Sequence, residues 1–141
     1  MATIAHPVVL PYVLKTASCL ITRDGAADTD DFTDHVGEIT LTPNVQSGSW
    51  TGVGGNVISE QGIATWTAGL GLIQDLDANG LLRYLLIHEG EKATIACALV
   101  DSADVVTVTV KLSPATIGGP VGSNPLTGSV TMAVDGKPQW S

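Results

Sequence analysis

The chain has 141 residues, 44% of them hydrophobic, a net charge of -8 and only six basic residues, which stand singly at Lys15, Arg23, Arg83, Lys92, Lys111 and Lys137. Scattered cations exclude phosphate-driven nucleic-acid binding, which needs clustered Lys and Arg to release counterions. A domain near this size hides about 68–70% of the surface its unfolded chain exposes, and with three Trp, two Tyr and one Phe its core is expected to be aliphatic.

Residues 1–14 carry Pro7 and Pro11 among apolar residues without a period and read as an extended N-terminal arm, a kind of segment that needs something to tie it down. Lys15 to Thr22 is the first expected strand. An acidic window follows, holding Asp24, Asp28, Asp30, Asp31, Asp34 and Glu38, whose ordinary reading is a solvated loop. From Val36 to Thr42 the alternation is clean, with Ile39 and Leu41 against Glu38, Thr40 and Thr42, and Pro43 is expected to stop it. Asn44 to Gly62 is rich in Gly, Ser and Asn, has no period of 2 or 3.6, and reads as a long loop. Structureless connections beyond about 12–15 residues are uncommon in compact domains and usually functional. Trp50 in its middle reads either as an anchor for a partner surface or as a ring folded back on its own core.

Ile63 to Gln74 alternates Trp66, Ala68, Leu70 and Leu72 against Thr65, Thr67, Gly69 and Gly71. The spacing then predicts one helix over about 79–90, with Leu81, Tyr84, Leu85 and His88 on one face, Asp77 or Asn79 as N-cap and Gly90 as C-cap. Lys92 to Val100 and Val105 to Ser113 are expected strands joined by a turn at Asp101–Asp104. The second points Val106, Val108, Val110 and Leu112 inward and Thr107, Thr109 and Lys111 outward. A loop, Pro114 to Pro125, precedes a last strand from Gly128 to Val134, with Val130, Met132 and Val134 inward, and Asp135-Gly-Lys-Pro138 ends the pattern. The expected organisation is one β domain over 15–138, with 139–141 as a C-terminal end. Its class is mainly β, a β-sandwich or barrel with one flanking helix.

Chemistry-bearing patterns fail one by one. Cys19 and Cys97 sit in apolar strand-like runs and are expected as buried thiols, not a disulfide. Gly52 and Gly54 are followed by Val57 where a GxGxxG fingerprint needs glycine, and GxxxxGK[ST] is absent. His6, His35 and His88 fall on an arm, a loop and a helix without HExxH or CxxC, and Asp28-Thr-Asp-Asp-Phe32 lacks the Gly and the spaced Glu of a calcium loop. No GxSxG occurs, and carboxylate pairs are tested by a distance, which sequence does not give. No catalytic residue, cofactor or metal is expected. With no leader pattern, no apolar run near the roughly 20 residues of a membrane span and no Asn-x-Ser/Thr, the chain is expected to fold in a reducing cytoplasm.

Several segments in order carry a resemblance: Asp31-Phe-Thr-Asp-His-Val-Gly-Glu-Ile-Thr-Leu-Thr-Pro43, the Trp66 strand entering Gln74-Asp75, Gly80-Leu-Leu-Arg-Tyr-Leu85 with Glu89-Gly90, Ser113-Pro-Ala-Thr-Ile-Gly-Gly119 and Val134-Asp-Gly-Lys-Pro138. Over residues 15–138 the chain resembles the major tail tube subunit of long, non-contractile-tailed bacteriophages, the siphophage tail tube family. The resemblance implies a tail-tube-like β fold, a homo-oligomer of stacked six-membered rings, and a lumen that holds a tape-measure protein and later passes DNA without specific binding. It also implies contacts with a tail terminator and with distal tail or baseplate proteins, no membrane anchor, no covalent chemistry, and a place in the virion tail after synthesis in the bacterial host.

On that reading the Thr-rich strand faces (Thr40, Thr42, Thr65, Thr67, Thr107, Thr109) are candidates to face a wet lumen, with Glu38, Thr40, Thr65 and Thr67 the chosen set. An acidic wall would keep DNA from sticking. Ser47, Trp50, Gly52 and Gly54 are the candidate contact between rings. A capsid-decorating or head-tail joining protein would share the β-rich, acidic, non-enzymatic character, forming trimers or closed single rings but no filaments. A carbohydrate-binding sandwich is the alternative from another class; it usually shows several aromatics on one face, whereas Trp50, Trp66 and Trp140 are far apart in sequence.

Overall fold

Alternating apolar residues fold into strands when each strand can turn one face to a shared core, and this chain does so in two sheets. A computed structural model describes residues 1–6, 16–99 and 105–140. Most of the expected arm, and the turn at Asp101–Asp104, lie outside the described residues. In chain order the elements are β1 (Ser18–Arg23), β2 (Asp30–Asp31), a 3-10 turn (Thr33–His35), β3 (Val36–Asn44), β4 (Ser47–Thr51), β5 (Val57–Gln61), β6 (Thr65–Ile73), α1 (Leu81–Ile87), β7 (Lys92–Ala98), β8 (Val106–Lys111), β9 (Thr127–Ala133) and β10 (Gln139–Trp140).

One sheet runs β10-β8-β7-β1-β2, the second runs β3-β6-β9, and β4 pairs with β5. The described pairings are antiparallel. A bridge between Val110 and Val134 links the two main sheets. Their inner faces meet in one aliphatic core: Ile21, Ile95, Val108 and Val110 from the larger sheet, with Leu112 just beyond β8, and Ala68, Leu70, Leu72, Val130 and Met132 from the smaller. The described buried side chains are all apolar. Among the described residues the fold is thus mainly β with one helix, as the alternation predicts; of the sandwich and the barrel that the sequence allowed, the barrel is not formed, since the described sheets stay open.

The helix is shorter than expected and is capped differently. Gly80 stands at the N-cap with no side-chain cap, because Asp77 accepts instead from the Asn79 N–H (2.9 Å), just ahead of the helix. His88 is the C-cap, and Gly90 follows with φ +85, a left-handed conformation that glycine adopts without steric cost. The Gly90 N–H donates to the Leu112 carbonyl (2.9 Å), feeding the chain into β7. Leu81, Leu82 and Leu85 are buried; Tyr84 is only half-buried, its ring 4.9 Å from Phe32. Leu82 was not on the expected face, because the helix end buries two consecutive leucines.

Two expectations about the middle of the chain are overturned. Pro43 does not stop β3, which continues to Asn44 and pairs Pro43 with Trp66. β3 is the edge of its sheet, where a missing N–H costs no ladder bond. Nor is Asn44 to Gly62 a structureless loop. It contains a hairpin in which Trp50 opposes Ile58 and Ser49 opposes Ser59. The hairpin prolongs the β3–β6 pairing: Asn44 opposes Thr65, the Gly62 N–H donates to the Gln46 carbonyl (2.7 Å), and Ser47 opposes Gln61. Between these pairs Val45 and Gln46 stand against Gly62, Ile63 and Ala64, so the register slips by one residue, as at a β-bulge.

Candidate functional site

The outer face of β3-β6-β9 is built by the same alternation that fills the core. With Leu70 and Leu72 inward, Thr65, Thr67, Gly69, Gly71 and Ile73 must point outward on β6. The registers then align rows across three strands: Glu38, Gly71, Ser129; Thr40, Gly69, Thr131; Thr42, Thr67, Ala133. All four residues chosen from sequence for the lumen, Glu38, Thr40, Thr65 and Thr67, lie on this one face. Thr107 and Thr109 do not; they belong to β8 in the other sheet and are half-buried. Ser129 and Thr131 were missed, although their alternation with Val130 and Met132 was readable.

This face is hydroxyl-rich, and Glu38 is the only charged residue in its three strands. The threonine hydroxyls are turned back onto the sheet: Thr65 Oγ1 donates to the Asn44 carbonyl at 3.2 Å, with longer contacts from Thr40 to Gly69 and from Thr67 to Thr42, both 3.5 Å. Gly69 and Gly71 leave a furrow along the middle strand. A Cβ at Gly69 would come within 2.7 Å of Thr40 Oγ1, and one at Gly71 within 3.0 Å of Glu38 Cβ. The two β3 side chains lean over the glycines, so the surface presents smooth, uncharged polarity with one row of carboxylate.

The hairpin holds the other candidate residues. Every residue of β4 and β5 is exposed. Trp50 and Ile58 share one face, at 64% and 53% exposure, so the Trp50 ring does not fold back on the core; its Cη2 and Cζ3 atoms lie over Gly52. Gly52 and Asn56 close the turn (Gly52 N–H to Asn56 carbonyl, 2.8 Å), with Gly55 at φ +91. Such a left-handed glycine is what a short hairpin loop requires. Gly54 sits at the tip. An isolated two-stranded hairpin is marginal in water, and this one exposes apolar side chains on both faces, Val57 being on the other.

Near one end of the face, the Gln74 amide grips the Ile117-Gly-Gly-Pro120 loop. Its Nε2 donates to the carbonyls of Gly118 (3.0 Å) and Thr127 (3.1 Å), and its Oε1 accepts from the Gly118 N–H at 2.8 Å. Elsewhere a polar cluster joins β1 to α1: His88 Nδ1 lies 2.6 Å from Glu91 Oε2, and Arg23 is 3.5 Å from Glu91. The His88 hydrogen bond holds the Glu91 carboxyl below its usual range. Burial, with Asp30 nearby, pushes the Tyr84 phenol up to about 12; its hydroxyl has no hydrogen-bond partner of good geometry.

Trp66 and Trp140, remote in sequence, line one groove of about 470 Å³ with Ile39, Leu41 and Pro138. Distance along the chain therefore does not separate these aromatics, although Trp50 lies on the hairpin. Among the described residues no cluster of His, Cys, Asp or Glu is arranged to hold a metal, and no helix is long and apolar enough to cross a membrane.

No protein-family model and no curated protein sequence matches the chain. Among solved structures, the chain is similar to one in the cryo-EM structure of the anti-feeding prophage cap, which terminates the tube of that particle: TM-score 0.59, 13% identity, covering 100% of both chains. It is similar also to a chain of the six-fold symmetrised anti-feeding prophage baseplate, with TM-score 0.59 and 10% identity over 95% of this chain and 97% of the other. At these identities the likeness shows a shared fold, one that components of a phage-tail-like particle also adopt.

Proposed function

We propose that this chain is a non-enzymatic structural subunit of a phage tail tube, assembling into stacked, six-membered rings. The observation that carries the reading is the β4–β5 hairpin, which prolongs the β3–β6 ribbon and exposes Trp50, Val57 and Ile58 without a partner. Exposed apolar surface on a ribbon that gains nothing from its own core is the mark of an assembly contact. The next ring supplies the partner, with Ser47, Trp50, Gly52 and Gly54 in the contact. The Thr-rich outer face of β3-β6-β9 lines the lumen, around the tape-measure protein and then around DNA in transit. Support comes from the fold shared with tail-particle components and from the sequence resemblance to siphophage tube subunits; tail terminator and baseplate proteins would meet the ends of such a tube. Closing a ring would also cover strand edges, which are otherwise liable to pair indiscriminately.

The test is negative-stain electron microscopy with light scattering on the full chain and on a variant lacking residues 44–62. The full chain is expected to give rings or tubes with a central hole, and the variant a folded subunit that does not stack. Normal tubes from the deletion variant would remove the hairpin from the contact. Trimers or closed single rings that never elongate would replace the tube reading with a capsid-decorating or head-tail joining role.

A further inference from the structure

Cys19 and Cys97 face one another across the β1–β7 ladder. Both are free thiols, buried at 0% and 1% exposure. The type of pair follows from where the Cys19 main chain goes. Its N–H donates to Thr33 Oγ1 at 3.2 Å, and its carbonyl accepts from the Phe32 N–H at 2.9 Å. In an antiparallel strand the N–H and C=O of one residue point to the same side, so both point away from β7. The Cys19–Cys97 pair is therefore of the non-hydrogen-bonded kind, with Cα atoms about 4.5 Å apart. That separation lies inside the roughly 4.4–6.8 Å a disulfide spans.

Opposed in register and both buried, the two side chains share the core face of the ladder. The neighbouring Cys97 thiol, with burial added, pushes the Cys19 thiol far above its usual range. Cys19 in turn favours the thiolate at Cys97. An open groove of about 390 Å³, lined by Thr16, Ser18, Cys19 and Thr33, runs along the β1 side of the buried pair.

We propose that Cys19 and Cys97 are a latent cross-strand disulfide, closed by hydrogen peroxide in place on the folded sheet, that staples β1 to β7. The Cys97 thiolate attacks one peroxide oxygen; the O–O bond breaks, and the departing hydroxide takes up the proton that Cys97 released, leaving a sulfenic acid. The Cys19 sulfur then attacks the Cys97 sulfur, the S–O bond breaks, and hydroxide leaves as water with the Cys19 proton. Two thiols and one peroxide give one disulfide and two waters, the sulfurs losing the two electrons that the peroxide gains. Because the strand register already fixes the separation, ring closure needs no backbone rearrangement, and a sulfenic acid formed at one sulfur meets its resolving thiol at once. This inference stands apart from the tube reading, since it concerns the folded subunit alone.

The experiment treats the purified full chain with hydrogen peroxide, quenches, denatures, alkylates and measures intact mass and a peptide map. The expected product has lost two hydrogen masses, takes up no alkylating agent and links the Cys19 and Cys97 peptides. Its melting temperature rises by about 5 °C or more and returns on reduction. The Cys19→Ser variant should give no link and a Cys97 sulfenic acid that dimedone traps. A parallel sample in urea below the unfolding midpoint keeps most of the protein folded while raising the transient opening that admits the oxidant. Two surviving thiols there, or sulfinic and sulfonic acids in place of the link, would overturn the proposal.

Discussion

At the residue scale, one hydroxyl organises the turn that ends the acidic window. Thr33 Oγ1 donates to Asp31 Oδ1 at 2.6 Å, the Thr33 N–H donates to the same oxygen at 3.0 Å, and Thr33 Oγ1 accepts from the Cys19 N–H. The two bonds from Thr33 hold the Asp31 carboxyl below its usual range, the hydroxyl contributing most. A carboxylate whose folded pKa is depressed stabilises the fold above its unfolded pKa of about 3.9, and that contribution is lost as pH falls through the folded value. Thr33→Val should therefore move the Asp31 titration upward, toward the ordinary carboxylate range, in a carbon-detected NMR titration. An unmoved Asp31 would show that the hydroxyl is not its main partner. This turn was only partly readable. The density of acids gave the exposed loop, but not that Asp31 pairs with Leu20 or that Thr33 reaches a strand fourteen residues away.

At the element scale, the helix closes the core and not only flanks it. Leu85 is fully buried among strand residues from both sheets, so Leu85→Ala should cost about 2–5 kcal/mol through lost transfer energy and a residual cavity. The measurement is a lower urea midpoint at unchanged slope; a fall worth less than about 1 kcal/mol would mean that the helix docks loosely. The helix was legible because Leu81 and Leu85 keep helical spacing, and β3, β6, β8 and β9 were legible because one face of each packs on the core more closely than the other. The hairpin had no such contrast. With both faces exposed, burial imprints no period on β4 and β5, and the usable signal was instead the β-favouring Trp50-Thr51 and Val57-Ile58 around a Gly-Gly-Asn turn. Pro43 misled for a related reason: whether proline ends a strand depends on whether the strand is an edge, a property of the sheet that no local window contains. β10 is two residues long and owes its form to β8.

At the scale of the whole molecule, the charge of -8 is not spread over the candidate lumen face. Of fourteen acids, Glu38 is the only one within β3, β6 and β9, and those strands hold no basic residue. If this face lines the lumen, each ring places one carboxylate per subunit on an otherwise neutral, hydroxyl-covered wall, and DNA is kept mobile chiefly because the wall offers phosphate no cation. Glu38→Lys changes the net charge from -8 to -6, and so does Glu89→Lys, which lies beyond the helix and off the face. The two variants separate position from total charge. Assembled Glu38→Lys protein should retain double-stranded DNA at low salt and release it as salt rises, with a slope that counts the phosphates neutralised. The Glu89→Lys assembly should behave as the parent does. Equal retention by both variants would mean that overall charge governs, and no retention by either would place the Glu38 face away from the DNA path. Both variants conserve the hairpin, so a loss of tubes in either would report on ring packing and not on the lumen.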